Sequence, residues 1–448
     1  MNNLKVGFSR GNINPPMGIE IGGYYKVRRA DGILDDLEVN ALAINSGDKT
    51  ILMLSLDHCG VFRNLADLFR TRISEATGVD VNSISISATH THTAPRMRLG
   101  IKDKLESDYI EFVINRAVDA AKFAIADLKD AKMGWGIGTA PRLAFVRRYR
   151  MKDGSIKTNP GVNNPDIVSP IGDVDERVSV LRFDREGADS IVFAHFGCHP
   201  DVVGGCKISA DWPGLLRRTV EKVLDNTKCI FFNGAEGDVN HVNVSPRPGE
   251  FNGMFVDFDD VSRGYAHAEY FARVITGGVL QAFDKVKYVD VDNIATLTKT
   301  IKVPSNMPDP KDIPQAKKIS DLHNAGKDDE IPFKGMMLTT VVAEAARMLR
   351  LENGPEFFEL EFIGLSIGPV AIFGIPGEPF TGIGRAIKET EGYELVLPMC
   401  LTNGSQGYFP MYDAYAEGGY EARGSNYKAG VAELIIDEGK KLLAELGE

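Results

Sequence analysis

A chain of 448 residues that is 43% hydrophobic can bury a large core of its own, and its five scattered cysteines, without a CxxC pair, exclude a disulfide framework or a thiolate zinc module. The formal net charge of −11, with Lys and Arg dispersed, provides no basic patch for phosphate backbones and excludes nucleic acid as a partner. No stretch of eighteen apolar residues occurs and the first ten residues hold no apolar leader core, so a mature cytoplasmic protein without a transmembrane segment is expected.

Apolar runs and helical periodicity alternate along the first half. Strands are predicted at 49–57, 81–89, 132–138, 178–183, 190–196 and 229–233, and helices at 64–77, 108–128, 213–224 and 265–283. Ile51-Leu52-Met53-Leu54-Ser55-Leu56 and Cys229-Ile230-Phe231-Phe232 are apolar at nearly every position, as strands covered on both faces require. After Val289 the texture changes. Residues 292–303 alternate like an exposed strand, and Pro304-Ser305-Asn306-Met307-Pro308-Asp309-Pro310 breaks the chain. Two charged helices at 311–325 and 337–352 form a predicted insertion, either a lid or a subunit contact. A hairpin at 357–365 and 370–375 follows, then a helix from Pro379, a strand at 394–401 and a closing helix at 428–446. The expected fold class is α/β, with mixed β-sheets flanked by helices in layers. It is read as a single domain spanning 1–448, with a helical insertion at 311–352.

Residues with chemistry gather where these strands end. Five of the eight histidines, His90, His92, His195, His199 and His241, fall in three such segments. In Ser85-Ile86-Ser87-Ala88-Thr89-His90-Thr91-His92-Thr93-Ala94-Pro95 the i, i+2 spacing puts both imidazoles on one face of an extended strand, open to a metal. Phe193-Ala194-His195-Phe196-Gly197-Cys198-His199-Pro200 repeats the pattern. Its two rings would stand about 13 Å apart along a strand, so His195 is read as a core or supporting histidine. Glu378 lies where an apolar strand turns toward a helix, a place that also suits a helix start. The segment 404–421 is rich in Gly and Tyr and would otherwise be an aromatic surface loop. Arg147 and Arg148 offer guanidinium forks for a carboxylate, a phosphate or hydroxyls, or are solvated charges on an edge. Asp57, His58, Asp211 and Asp238 end similar segments, where capping and support of ligands are both open.

Four motifs together carry a resemblance: Ser87-Ala88-Thr89-His90-Thr91-His92-Thr93-Ala94-Pro95; Cys198-His199-Pro200 followed by Ile208-Ser209-Ala210-Asp211-Trp212-Pro213-Gly214; Gly377-Glu378; and Gly407-Tyr408 with Tyr420-Glu421 twelve residues later. The chain resembles the neutral/alkaline (non-lysosomal) ceramidase family over nearly its whole length, without the C-terminal immunoglobulin-like domain and secretion signal of the longer members. The resemblance implies one zinc ion, Zn2+, held by His90, His199, Glu378 and Tyr408, with water completing the shell. It also implies His92 beside that water or the substrate, and a Tyr420 hydroxyl directed at the oxygen that becomes negative. Imidazole, carboxylate and a phenol drawn in by the cation are chemically suited to this. Zinc brings the pKa of its water to roughly 7, and an oxyanion donor typically adds on the order of 10²–10³ in rate. His92 could instead orient a ligand.

One position departs from the family pattern. In Asn233-Gly234-Ala235-Glu236-Gly237-Asp238-Val239-Asn240-His241-Val242-Asn243, ceramide-cleaving members carry a serine where this chain has Asn240, and an amide cannot accept an acyl group as a hydroxyl can. The expectation is attack by water on a polar amide, ester or lactone, with Asn240 as a hydrogen-bonding contact and His241 and the two arginines near the substrate. Two other classes remain open at this level: a zinc lyase or isomerase acting on a sugar-like polyhydroxy compound, and a ligand-binding homologue without catalysis.

Overall fold

The computed structural model describes residues 4–250 and 264–448. Its larger sheet is built from one unit used twice. Leu4–Asn12, Glu38–Ser46, Lys49–Leu56 and Ile84–Ala88 lie side by side in one half, and Lys129–Thr139, Arg177–Arg185, Ser190–Phe196 and Thr227–Asn233 in the other. Each half pairs antiparallel, antiparallel, then parallel, and the halves meet antiparallel at Leu4–Asn12 and Lys129–Thr139. The connections repeat as well. Helices Arg63–Thr77 and Asp211–Val223 cross over within the parallel pairs, and Lys104–Ala126 and Tyr265–Phe283 follow them. The two strand-then-histidine segments end non-equivalent strands of this repeat: His90 follows Ile84–Ala88, the fourth strand of its half, and His199 follows Ser190–Phe196, the third of the other.

A second sheet, ordered Ile294–Pro304, Phe357–Ile367, Val370–Gly374 and Leu395–Met399, packs face to face on the first. Leu42, Met53, Leu181 and Phe193 from one sheet interleave with Ile363, Leu365, Ile372 and Leu397 from the other. Because the inner faces meet each other and the outer faces meet helices, these strands are apolar at successive positions. The outer face of the first sheet is covered by the four helices of the repeats, and that of the second by Thr381–Lys388 and Val431–Gly447. The expected class, α/β with mixed sheets flanked by helices in layers, is the one observed. No described helix is long and apolar enough to cross a membrane.

Two inner strands, Leu4–Asn12 and Glu38–Ser46, were not among the expected elements. The first is interrupted by Gly7 and Arg10 and so lacks an apolar run. A Cβ at Gly7 would lie 2.0 Å from the carbonyl oxygen of Ala124, so close approach of the helix Lys104–Ala126 dictates the glycine. The strand expected from residue 81 begins at Ile84 instead, after a 3-10 turn over Val81–Ser83 in which the Asp80 carboxylate accepts from the Asn82 amide at 2.7 Å. The insertion forms two helices, Ile313–Asn324 and Met336–Leu351, packed through Ala316, Ile319, Val342 and Ala345. Arg347 fastens them to the body by donating to the carbonyls of Arg423 at 2.9 Å and Asn306 at 2.6 Å.

His195 is a core residue here. Its Nε2 donates to the carbonyl of Pro398 at 2.7 Å, tying the two sheets together, and burial pushes its pKa down to about 3. Released on unfolding, the ring returns to the ordinary value near 6.5, so the unfolded chain binds the extra proton and stability is lost as pH falls from about 6.5 toward 3. His195→Gln is expected to flatten this acid limb by about 1.4 kcal/mol per pH unit. Urea unfolding midpoints taken between pH 4 and pH 7 measure the change.

Candidate metal centre and active site

The C-terminal ends of the parallel strands open onto one cleft. After Ile84–Ala88 the chain turns sharply, and His90 adopts φ 78°, a left-handed conformation that a non-glycine residue holds only where its surroundings impose it. Its Nδ1 contacts the carbonyl of Cys59 at 2.5 Å, which leaves Nε2 facing inward, 3.3 Å from His92 Nε2 and 3.5 Å from Glu378 Oε2. From the other half of the sheet, beyond Ser190–Phe196, His199 directs Nδ1 to the Glu236 carbonyl at 2.8 Å and Nε2 to Glu378 Oε2 at 3.3 Å. Glu378 is presented by a short parallel pairing that sets it directly beside Tyr408. A Cβ at Gly237 would lie 2.5 Å from the Glu378 carbonyl oxygen, so only glycine lets that backbone close in.

Ligand-type atoms of His90, His199, Glu236 and Glu378 all lie within 4.8 Å of one another, in a cluster able to hold a metal ion. His199 Nε2 and Glu378 Oε2 are buried, make no hydrogen bond and point at each other, which fits a cation between them. The Glu236 carboxylate meets His199 from the far side, at Nδ1, and so acts on the imidazole that faces the cluster. A carboxylate behind a histidine ligand fixes the ring and raises its basicity. Glu236 was not singled out from the sequence. A signal was present, because it follows Thr227–Asn233 much as His90 follows the equivalent strand Ile84–Ala88 of the other half.

Electrostatics separate the rings. Burial opposes charge on His90, but Cys59, Glu236 and Glu378 outweigh it and its pKa stands well above 6.5. Glu378 is the complement: burial would raise it, yet the facing imidazoles hold it well below the ordinary value. His92 is pushed well below 6.5 by burial and then by the positive field of His90 and His199, so it is neutral. Its Nδ1 lies 3.6 Å from Asp201, which also accepts the Tyr24 hydroxyl at 2.5 Å, and its carbonyl accepts from Arg28 at 2.6 Å. Tyr420 and Tyr408 have pKa values well above 10, by burial first and by the Glu378 charge, and remain phenols. The Tyr408 ring lies nearly parallel to His199, with centroids 6.4 Å apart, and meets Tyr420 edge to face at 5.6 Å.

The expected substrate contacts lie elsewhere. Arg147 is buried behind the phenols, with Nε 2.6 Å from the fully buried Glu421 and another nitrogen donating to the Gly237 carbonyl at 2.8 Å. Arg148 points the opposite way, to Glu417 at 2.9 Å and the Gly418 carbonyl at 3.1 Å. Successive residues of an extended segment face opposite sides, so both arginines could not serve one pocket. Asn240 accepts from the Val242 amide at 3.0 Å and donates to Asn159 at 3.3 Å, holding a turn. His241 lines a separate cavity of about 260 Å³ with His267 and Glu250. None of these four lines the main cavity, of about 920 Å³, which is bounded by His90, His92, Glu378, Tyr408 and Tyr420 on the body and by Ser320, His323, Val342 and Arg350 on the insertion. Asp211 and Asp238 are structural: the first accepts from the amides of Val202 and Val203 at 3.0 and 2.8 Å, the second from Thr381 at 2.7 Å.

Two layered sheets with a buried His/Glu cluster at the strand ends define the class: an α/β protein with a candidate metal centre. No family model matches the chain, and no curated protein matches it in sequence. Among solved structures it is similar to the crystal structure of neutral ceramidase from Pseudomonas aeruginosa, with TM-score 0.74 and 16% identity over 100% of this chain and 75% of that one. A ceramidase complexed with C2 gives TM-score 0.71 and 14% identity, again over 100% and 75% of the two chains. The chain therefore has a neutral-ceramidase-like fold.

Proposed function

We propose that the protein is a zinc-dependent hydrolase that cleaves an amide, ester or lactone bond in a polar small molecule, the whole chain acting as one catalytic unit. The observation that carries this reading is the convergence of two buried imidazoles on the unpartnered Glu378 oxygen beside a cavity of about 920 Å³. His90, His199, Glu378 and Tyr408 are the residues that would hold the ion, and Glu236 would orient His199. When bound, zinc supplies a Lewis acid that polarises a carbonyl and acidifies water.

The chain's own groups do the rest. His92, kept neutral by its surroundings, takes a proton from the attacking water, and Asp201 steadies the imidazole through Nδ1. Tyr420 keeps its proton and donates to the oxygen on which negative charge develops. The water oxygen joins the acyl carbon, the bond to nitrogen or oxygen breaks, and the leaving group receives the proton. Asn240 offers no hydroxyl, so no acyl-enzyme at that position enters the scheme. The five free cysteines fit a reducing, cytoplasmic setting.

Metal depletion tests the reading. Chelated protein is expected to lose turnover on a panel of amides, esters and lactones, to regain it with Zn2+, and to place one solvent oxygen in the product carboxylate when run in labelled water. Full activity of zinc-free protein would overturn it, and a product without solvent oxygen would point to isomerisation instead.

A further inference from the structure

The main cavity is cationic in an acidic protein. The chain carries a formal net charge of −11, yet among the residues lining this cavity Glu378 is the one carboxylate, against Arg96, Arg98 and Arg350. Arg96 is neutralised by Glu20 at 3.1 Å. Among the described residues neither Arg98 nor Arg350 forms an ion pair; Arg350 donates to the neutral amide oxygen of Asn426 and otherwise faces the phenols of Tyr25 and Tyr427. The buried arginines Arg217, Arg147 and Arg70 have carboxylate partners, Asp57 with Glu38, Glu421 and Glu361, whereas Arg96, Arg98 and Arg350 are exposed where they line the cavity. The Arg350 side chain is exposed to solvent, and its guanidinium stays charged at neutral pH. An exposed guanidinium whose donors are not taken by a carboxylate can pair with an anion that enters the cavity.

We propose that this cavity selects molecules bearing an oxyanion, a carboxylate or a phosphate, gripped by the guanidinium of Arg350 with Arg98 contributing. The planar fork of Arg350 matches two oxygens of either group. Tyr25, which feels the charges of both Arg350 and Glu378, lies between the anion subsite and the His/Glu cluster, so one ligand can span them. That the ligand is also the substrate rests on the hydrolase reading; that it binds does not.

Calorimetric titration of the zinc-loaded and zinc-free protein with N-hexanoylglycine, its methyl ester, and hexanoylaminoethyl phosphate tests this without using turnover. At least one charged probe is expected to bind roughly 10- to 100-fold more tightly than the neutral ester, and the tighter of the two identifies the headgroup. Arg350→Gln should abolish the preference and Arg350→Lys retain part of it. Asn426→Asp provides a second route, because an internal carboxylate beside an intact Arg350 should also abolish the preference if Arg350→Gln fails to fold. Equal affinity for charged and neutral probes, or a preference that survives both Arg350→Gln and Asn426→Asp, overturns the proposal. Anion preference without turnover of any probe would leave it standing while the hydrolase reading falls.

Discussion

Glu378→Gln is expected to lower turnover by at least about 10³-fold, since the interaction of a bound cation with transition-state charge is worth several kcal/mol and each 1.36 kcal/mol is a factor of ten. The glutamine keeps the shape of the side chain but removes the negative charge on which His90 and His199 converge at 3.5 and 3.3 Å. The matched substitution Glu236→Gln should do much less, costing roughly 10–100-fold in metal affinity, because Glu236 reaches the cluster through His199 Nδ1. Measuring zinc stoichiometry and affinity of the two variants side by side decides their roles. If Glu236→Gln lost zinc as completely as Glu378→Gln, then Glu236 would itself be a ligand.

The largest effect on stability is expected at Asp57. Its carboxylate lies 2.6 Å from Arg217, both side chains are fully buried, and Glu38 meets the same guanidinium at 3.0 Å. Burial works against charge on Arg217, but the two carboxylates outweigh it and its pKa stands above the ordinary arginine value. The pair joins a strand end of the first repeat to the helix Asp211–Val223 of the second, and Asp57 also accepts from the Thr89 hydroxyl at 3.3 Å, one residue before His90. Asp57→Ala takes two carboxylate contacts from a buried guanidinium, leaving it Glu38 alone, and is expected to cost about 3 kcal/mol. Removing both charges in Asp57→Ala/Arg217→Met should recover most of that loss, because the penalty lies in the under-compensated buried ion, and Glu38 keeps Arg10 as a partner. Urea unfolding of zinc-free protein reads both, and equal destabilisation of the single and double variants would refute the argument.

Much of this molecule is legible in its sequence because the signals are local. Strand and helix periodicities fell within a few residues of the observed elements from Lys49–Leu56 onward, and the chemistry-bearing residues stood out at strand ends, where an apolar run stops at His90, His199 or Glu378. The innermost strand was hidden because Gly7 and Arg10 answer to partners far along the chain, Ala124 and Glu221, the latter 2.7 Å from Arg10. Pairing across such distances leaves no periodic mark on either segment.

Side-chain direction was the other gap. Residue types near position 147 promised an arginine for the substrate, and the register of that edge buried Arg147 against Glu421 and turned Arg148 to Glu417. The arginines that line the cavity are Arg96, Arg98 and Arg350, the last delivered by an insertion whose helical character was evident and whose docking was not. Composition and spacing by themselves determined a layered α/β chain with histidine and carboxylate side chains of ligand type at its strand ends. Which ends meet, that Glu236 stands behind His199, and which guanidiniums face the cleft were decided only by tertiary structure, because the two repeats and the second sheet bring together residues hundreds of positions apart.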